Sequence, residues 1–411
     1  MAFDASELLR KTVFNLANEG YTHRDINALT GVGRTTIGDW LREDGFVQAK
    51  EEPEPVDPIE SHRRKVSDAQ QRQEHIEAVK ELAFRDMLAE TVQSVAPVLD
   101  APARYRAPRI TTDTVTESLL LCLSDWHADE IVRADAVFGL NEYNRQVMDR
   151  RVFRIRDTVI EIKDRLESGG YRFPTLVVSV NGDMVSGTIH EVERHTDGPN
   201  IMQTSLRCGS KLAELIRDLS AHFERVEVFC TSGNHGRLSD AKKVQTKEPT
   251  RSWDYLIYKY AEAMLADCVN VRFEVPDAWA VMFELEGHVF YQSHGHFVKA
   301  NSPVPFYGIG RMTSRLGSVL SRHHKPVDYY LFGHFHVYGS IENAGGEYII
   351  NPPLIGPQEF GVHSFGDAVP PGQLLMGVHE KYGVSHRWRL AAEEIWPPPT
   401  KGLKTTKIRS T

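Results

Sequence analysis

The chain has 411 residues, of which 41% are hydrophobic and 25% charged, with a formal net charge of −8. That length buries a large core and leaves room for more than one unit, and the composition is ordinary for a soluble globular protein. No apolar run reaches the length of a membrane span, and the acidic balance excludes a uniformly basic surface, so any contact with nucleic acid must come from local patches. The N-terminal MAFDASELLRK carries acids and lacks a continuous apolar stretch, which argues against a secretory signal. Cys122, Cys208, Cys230 and Cys268 form no CxxC pair. Cys122 and Cys230 lie in apolar runs and read as small buried thiols. The expected setting is a reducing cytoplasm.

Residues 1–45 read as a small all-α domain. A helix is expected over 6–18, and YTHRDINALTGVGRTTIGDWLRE (21–43) has helix-turn-helix spacing. Thr22 is placed to cap a helix carrying Ile26 and Leu29, Gly31 permits a left-handed turn, and Val32 plugs the corner. Ile37 and Trp40 form the buried face of a second helix starting near Arg34 or Thr35. Over about 20 residues this segment resembles the helix-turn-helix families of DNA-binding proteins, with Asn27 where those families usually carry Ala. The resemblance implies DNA contact through Arg34, Thr35, Thr36 and Arg42. The unit holds five Lys/Arg against seven Asp/Glu, so a protein-docking or purely structural role stays open.

Residues 46–66 contain EEPEPVDPIE and read as an acidic, Pro-rich, extended linker. Residues 67–95 read as one long helix with Ile76, Val79, Ala83 and Met87 as its apolar stripe. Together with a connector to residue 116, this helix is expected to pack on the next domain or to pair with a second copy in a homodimer. From 117 to about 395 strands and helices alternate. SLLLCLSD, TLVVSVNGD and RVEVFCTSGNH read as strands, as do WAVMFEL, HVFYQSHG, YYLFGHFH, EYIINP, QLLMGVHE and VSHRWRL. Residues 142–167, 203–220 and 253–266 read as helices. Early strand–helix repetition followed by shorter strands suggests an α/β sandwich of two packed sheets with helices outside. The tail at 396–411 is basic.

The chemistry lies in five short motifs, each at or near a strand end: SDWH (124–127), NGDM (181–184), SGNHGR (232–237), SHGH (293–296) and GHFH (333–336). They offer Asp, His and Asn but no thiolate, the donor set suited to cations that activate water at phosphate. Asp125 and His127, two apart on an extended segment, point the same way and can grip one cation. Asp183 can bridge two cations, Asn234 offers a neutral carbonyl oxygen, and His294, His334 and His336 add nitrogens.

In this order the motifs resemble the calcineurin-like metallophosphoesterase superfamily, over roughly residues 118–340. The branch that comes nearest is that of the DNA-repair exonucleases and related bacteriophage-encoded phosphoesterases. The resemblance implies a four-layer α/β/β/α sandwich and a dinuclear centre holding two divalent ions, manganese ahead of iron, zinc, magnesium or nickel. By resemblance, one metal takes Asp125, His127, Asp183 and His336, and the second takes Asp183, Asn234, His294 and His334. A water or hydroxide held by the pair is then the nucleophile, and His235 stabilises the phosphoryl group or protonates the leaving oxygen.

One departure is visible. Family members usually carry Asp or Glu directly after GNH, and here Gly236 follows, then Arg237, whose planar fork suits a phosphate oxygen. His190 and the basic loop residues Lys242 and Lys243 are further candidates for substrate contact, and His296 for orienting His294. The expected function is hydrolysis of phosphodiester bonds, in DNA. The alternatives are a phosphatase or phosphodiesterase for a small nucleotide or a phosphoprotein, and a DNA-binding or adaptor protein that uses the domain as a scaffold.

Overall fold

The computed structural model describes residues 5–43, 45, 58–105, 114–128, 130–187, 200–238, 249–299, 305–322, 326–343, 345–366, 368–394 and 396. His190, Lys242, Lys243, residues 46–57 of the expected linker and the tail from 397 lie outside them. The chain forms two compact units, Met1–Thr91 and Val92–Thr411.

In the first unit, α1 (Ala5–Asn18), α2 (His23–Thr30) and α3 (Arg34–Glu43) pack around Val13, Leu16, Ile26, Val32, Ile37 and Leu41. Thr22 caps α2 in a reciprocal box: its hydroxyl accepts from the Asp25 N–H while the Asp25 carboxylate accepts from the Thr22 N–H. Gly31 ends α2 in the left-handed conformation at φ 71°, and the Asn27 amide donates to the Val32 carbonyl at 2.7 Å, bracing the turn. Leu41, not Trp40, shares the buried face with Ile37, and Trp40 is half-buried. Four residues bring Leu41 nearly back to the azimuth of Ile37, whereas three leave Trp40 at the rim. Arg34, Thr35 and Thr36 are exposed on the first turn of α3.

The helix α4 (Pro58–Val95) starts well before the expected boundary at residue 67, inside the segment read as linker. Pro58 falls in its first turn, where a missing N–H costs nothing, and no further proline occurs before Pro97. Of the expected stripe only Ile76 is fully buried; Ala83 is exposed and Met87 is 58% exposed. His75 of α4 stacks on Tyr21 with ring centroids 5.6 Å apart, so the helix meets the three-helix unit, a contact the sequence did not announce.

The second unit is a four-layer sandwich. Its strands are β1 (Val115–Thr116), β2 (Ser118–Leu123), β3 (Tyr171–Arg172), β4 (Thr175–Asn181), β5 (Arg225–Thr231), β6 (Val271–Glu274), β7 (Ala280–Leu285), β8 (His288–Ser293), β9 (Tyr329–Phe332), β10 (Gly339–Asn343), β11 (Gly346–Ile350), β12 (Gly372–His379) and β13 (Gly383–Ala391). Its helices are α5 (Arg145–Ser168), α6 (Ile201–Ser220), α7 (Trp253–Met264), α8 (Phe306–Leu320) and α9 (Glu359–Phe365). The larger sheet runs β13-β12-β2-β4-β5-β6 and the smaller β10-β11-β9-β8-β7. β2, β4, β5 and β6 are parallel, and β2 and β4 are buried along their whole length, which explains why they read as unbroken apolar runs.

Between the sheets lies a core of Leu120, Cys122, Val177, Leu374 and Met376 from one and Phe283, Phe290, Leu331 and Ile349 from the other. Helices α5 and α7 cover the outer face of the larger sheet, with α6 packed beside them. Helix α8 covers the smaller sheet through Ile309, Met312 and Leu316, against Tyr330 and Tyr348. Helix α8 is the crossover between the parallel strands β8 and β9. Under the motifs, two buried amides stitch the sheets together. Asn181 donates to the carbonyls of Ser293 (3.0 Å) and Leu331 (3.3 Å), and Gln292 donates to those of Val180 (3.0 Å) and Phe229 (3.1 Å). The C-terminal ends of β2, β4, β5, β8 and β9 therefore open onto one edge, the usual place for a site in an open α/β sheet.

Candidate metal centre

Each motif begins where its strand stops. Asp125, His127, Asp183, His334 and His336 all take the left-handed backbone conformation, with φ between 48° and 68°. For residues with a Cβ this costs roughly 1–2 kcal/mol each, and such strain persists where the surroundings over-determine it, as they do at functional sites. It also corrects one expectation. Asp125 and His127 share a direction because tight left-handed turns re-aim both side chains; the segment is not extended, and the same holds for His334 and His336.

Two donor sets result. Asp125, His127 and His336 offer ligand atoms that all lie within 4.8 Å of one another, and so do Asp183, His294 and His334. In the first set the Nε2 atoms of His127 and His336 face each other at 3.2 Å. In the second, His294 Nε2 lies 2.8 Å from Asp183 Oδ2. Asn234 Oδ1 is buried without a hydrogen-bond partner among the described residues, an acceptor left for a cation. Carboxylate, imidazole and amide donors with no sulfur fit divalent ions such as Mn²⁺, Fe²⁺ or Zn²⁺, and the pairing of two acids with four imidazoles fits two of them.

The tautomers follow from the outer partners. A carbonyl oxygen only accepts, so His294 Nδ1 carries the proton it donates to the Asn181 carbonyl (2.7 Å), which leaves Nε2, paired here with Asp183, as the nitrogen that would ligate once its proton is lost. The Ser186 hydroxyl donates to Glu130 (2.7 Å) and therefore accepts from His127 Nδ1 (2.7 Å), which again leaves Nε2 free to ligate. Gln358 donates to the same Glu130 oxygen at 2.6 Å. Burial and the neighbouring imidazoles keep His127 well below the usual histidine range, and push His334 down to about 3, so both are in the neutral, ligating form. Burial also pulls His294 down, but Asp183 outweighs it and lifts His294 to about 9. Burial would raise Asp183, yet the charges of His294 and His235 hold it well below the carboxylate range.

Backbone packing explains the glycines. A Cβ on Gly182 would lie 2.5 Å from the Gly233 nitrogen, and one on Gly333 would lie 2.7 Å from Asp125 Oδ2. Gly236, the departure from the family pattern, is accounted for in the same way: a Cβ there would meet Ser252 Oγ at 2.7 Å and Asp254 Cγ at 2.9 Å.

Asp254, in the first turn of α7, escaped the sequence reading. Fully buried, it accepts the backbone N–H groups of Asp183 (3.1 Å), Met184 (3.0 Å) and Gly233 (2.8 Å), and so clamps two motif loops together. Burial and the charge of Asp183 raise it to about 7. Its only trace in the sequence is a Ser-x-Asp helix start, which many ordinary helices share.

His235 donates its backbone N–H to Asp183 Oδ1 (2.8 Å), and its Nδ1 donates to the Ser186 carbonyl at 3.1 Å. That carbonyl supplies the support that no adjacent carboxylate gives, and it fixes the Nδ1 proton. The His235 ring lies edge-on to His127 at 4.9 Å. Arg237 is partly buried, pairs its backbone with Ser252, and feels the charge of Asp183. His296 makes no hydrogen bond to His294; the rings are 5.7 Å apart, and the Asn181 carbonyl performs the orienting role expected of it.

No protein-family model matches the sequence, and no curated protein matches it. Solved structures with similarity include a zinc-complexed Vps29 from Entamoeba histolytica, at 13% identity and TM-score 0.28, covering 67% of this chain and 99% of that one. An archaeal phosphodiesterase gives 10% identity and TM-score 0.29 over 66% and 99% of the two chains. A dimetal phosphatase from Danio rerio gives 11% identity and TM-score 0.34 over 67% and 99%.

Proposed function

We propose that this chain is a dinuclear metal-dependent phosphoesterase that hydrolyses phosphodiester bonds, with DNA as the substrate. The observation that carries the reading is the pair of adjacent donor sets with the unpartnered Asn234 oxygen beside them. Asp183 is the bridging carboxylate in this reading; one of its oxygens meets His294 and the other accepts the His235 backbone N–H. Two divalent ions held there would supply Lewis acidity toward the phosphoryl oxygens and lower the pKa of water. His235, with its Nδ1 proton committed to a carbonyl, presents Nε2 to hold or give a proton at the leaving oxygen. Arg237 steadies a phosphate oxygen by charge and by its fork.

The DNA part rests on the N-terminal unit, where Arg34, Thr35 and Thr36 stand exposed on the first turn of α3, as a recognition helix requires. Pairing of two copies along α4 belongs to the same reading, through the exposed Leu82 and Met87. No described helix is long and apolar enough to cross a membrane. A small nucleotide or phosphoprotein is the alternative substrate, and a scaffold role without hydrolysis is disfavoured by a ligand set that lacks no member.

The test is a panel of linear duplex DNA, single-stranded DNA, bis(p-nitrophenyl) phosphate and p-nitrophenyl phosphate, assayed with Mn²⁺. Cleavage of the DNAs and the diester is expected. Activity on the monoester alone would move the assignment to a phosphatase, and no activity with metals bound would contradict hydrolysis. Deleting residues 1–45 is expected to weaken binding to long DNA and flatten its salt dependence. Equal DNA binding with and without the unit would remove DNA recruitment from the reading.

A further inference from the structure

A cluster of rings flanks the second donor set and takes no part in the chemistry described so far. Ala280 pairs with Ser293 across the β7–β8 hairpin, so Trp279 lies just before β7, beside the segment 294–297 that leaves β8. Trp279 packs edge-on against His296 at 5.1 Å and against Phe297 at 5.5 Å, and His296 lies 4.0 Å from Phe297. The His296 ring is 5.7 Å from that of His294 and 6.3 Å from that of His334, so the cluster adjoins two imidazoles of the second donor set.

Two features set it apart from core packing. Phe297, a large apolar ring, is 37% exposed. Trp279 Nε1 and both ring nitrogens of His296 are buried yet make no hydrogen bond among the described residues. Native proteins keep few such groups, and each calls for an explanation. Indole offers one donor, and a neutral imidazole offers one donor and one acceptor. A flat apolar face beside mixed donors and an acceptor matches a nucleobase, which has a π-face and an edge of carbonyl and amino groups. A phosphate would need cations instead.

We propose that Trp279, His296 and Phe297 form a nucleobase subsite beside the second cation position. The base stacks on the exposed Phe297 ring, beside the rings of Trp279 and His296. The proposal rests on the phosphoesterase reading of the adjoining site, and it makes the substrate a nucleotide ester rather than a phosphoprotein.

The test compares kcat/KM for p-nitrophenyl thymidine 5′-phosphate and p-nitrophenyl methyl phosphate with the Mn²⁺-loaded full chain. The leaving group is the same, so the ratio reports on the retained group. The wild type should prefer the thymidine ester. Phe297→Ala should lower that ratio by about tenfold, within the range for loss of one base-stacking partner, and Trp279→Phe should lower it by a smaller factor. A wild-type ratio near one, or variants that depress both esters in proportion, would overturn the subsite. Calorimetric titration with thymidine 5′-monophosphate and with methyl phosphate separates the two claims. Preferential binding of the nucleotide, reduced in Phe297→Ala, supports the subsite even if neither ester is hydrolysed, an outcome that would defeat only the hydrolytic reading. Hydrolysis of both esters at equal kcat/KM, with no binding preference, would defeat only the subsite.

Discussion

Removing the Asp254 carboxylate should loosen both motif loops at once. Asp254→Ala orphans the N–H groups of Asp183, Met184 and Gly233, which now end on it at 2.8–3.1 Å in a fully buried setting. A buried donor left unsatisfied costs about 1–3 kcal/mol. Three of them, partly relieved by water entering the space left behind, give about 3–5 kcal/mol. Asp254→Asn is milder. Its amide oxygen can replace Oδ2, which serves Asp183 and Gly233, so only the Met184 N–H is left against an amide nitrogen, at about 1–3 kcal/mol. At roughly 2–4 °C per kcal/mol for a domain of this size, the alanine variant should melt roughly 10 °C lower and the asparagine variant roughly 5 °C lower. Differential scanning calorimetry on the metal-free protein measures this directly. Addition of Mn²⁺ should recover less of the loss in the alanine variant than in wild type, because Asp183 is among the residues set free. An Asp254→Ala protein melting within about 2 °C of wild type would refute the clamp.

The other expectations concern the ligands and their partners. Ser186→Ala removes the hydroxyl between His127 and Glu130, and competitive metal titration should show one cation bound about 10–100-fold more weakly while the other is little changed; equal affinities would mean the hydroxyl does not position His127. His235→Asn should keep both cations by elemental analysis and slow turnover by roughly 10²–10⁴, with a smaller loss for nitrophenolate leaving groups than for alkoxides; equal losses for both would rule out the acid role. In the metal-free protein His294 sits near 9, above its unfolded value of 6.5. Its pairing with Asp183 is therefore fully present below pH 6.5 and lost as pH rises toward 9, so metal-free melting temperatures should fall across that window, less so in His294→Gln. A cation at the second position must expel that proton, so its affinity should rise up to about tenfold per pH unit between roughly pH 7 and 9, and a flat profile would contradict the pairing.

The motif positions were legible because β2, β4 and β5 are buried parallel strands, which read as continuous apolar runs with their functional residues at the C-terminal ends. The ligand types were legible because Asp, His and Asn recur there without thiolate. How the ligands are aimed was hidden, since nothing in SDWH or GHFH announces a left-handed backbone at four of their residues. Helix α8 was missed because FYGIGRMTSRLGSVL carries Gly308, Gly310 and Gly317, poor helix formers whose helix is held by packing on Tyr330 and Tyr348. Asp254 and Trp279 reach the site from elements distant in sequence, through contacts that no local pattern encodes. The early start of α4 and the exposure of Met87 show the reverse case: proline content and helical spacing describe local preference, while burial depends on what packs against the face.

The central claim is that these two donor sets hold two cations. Equilibrium dialysis of the metal-free full chain against Mn²⁺, with bound metal counted by elemental analysis, tests it most directly. The account predicts two ions per chain in the wild type and a clear loss of occupancy in Asp183→Asn. A wild type that saturates with one ion or none, or an Asp183→Asn variant that still binds two as tightly, would contradict it.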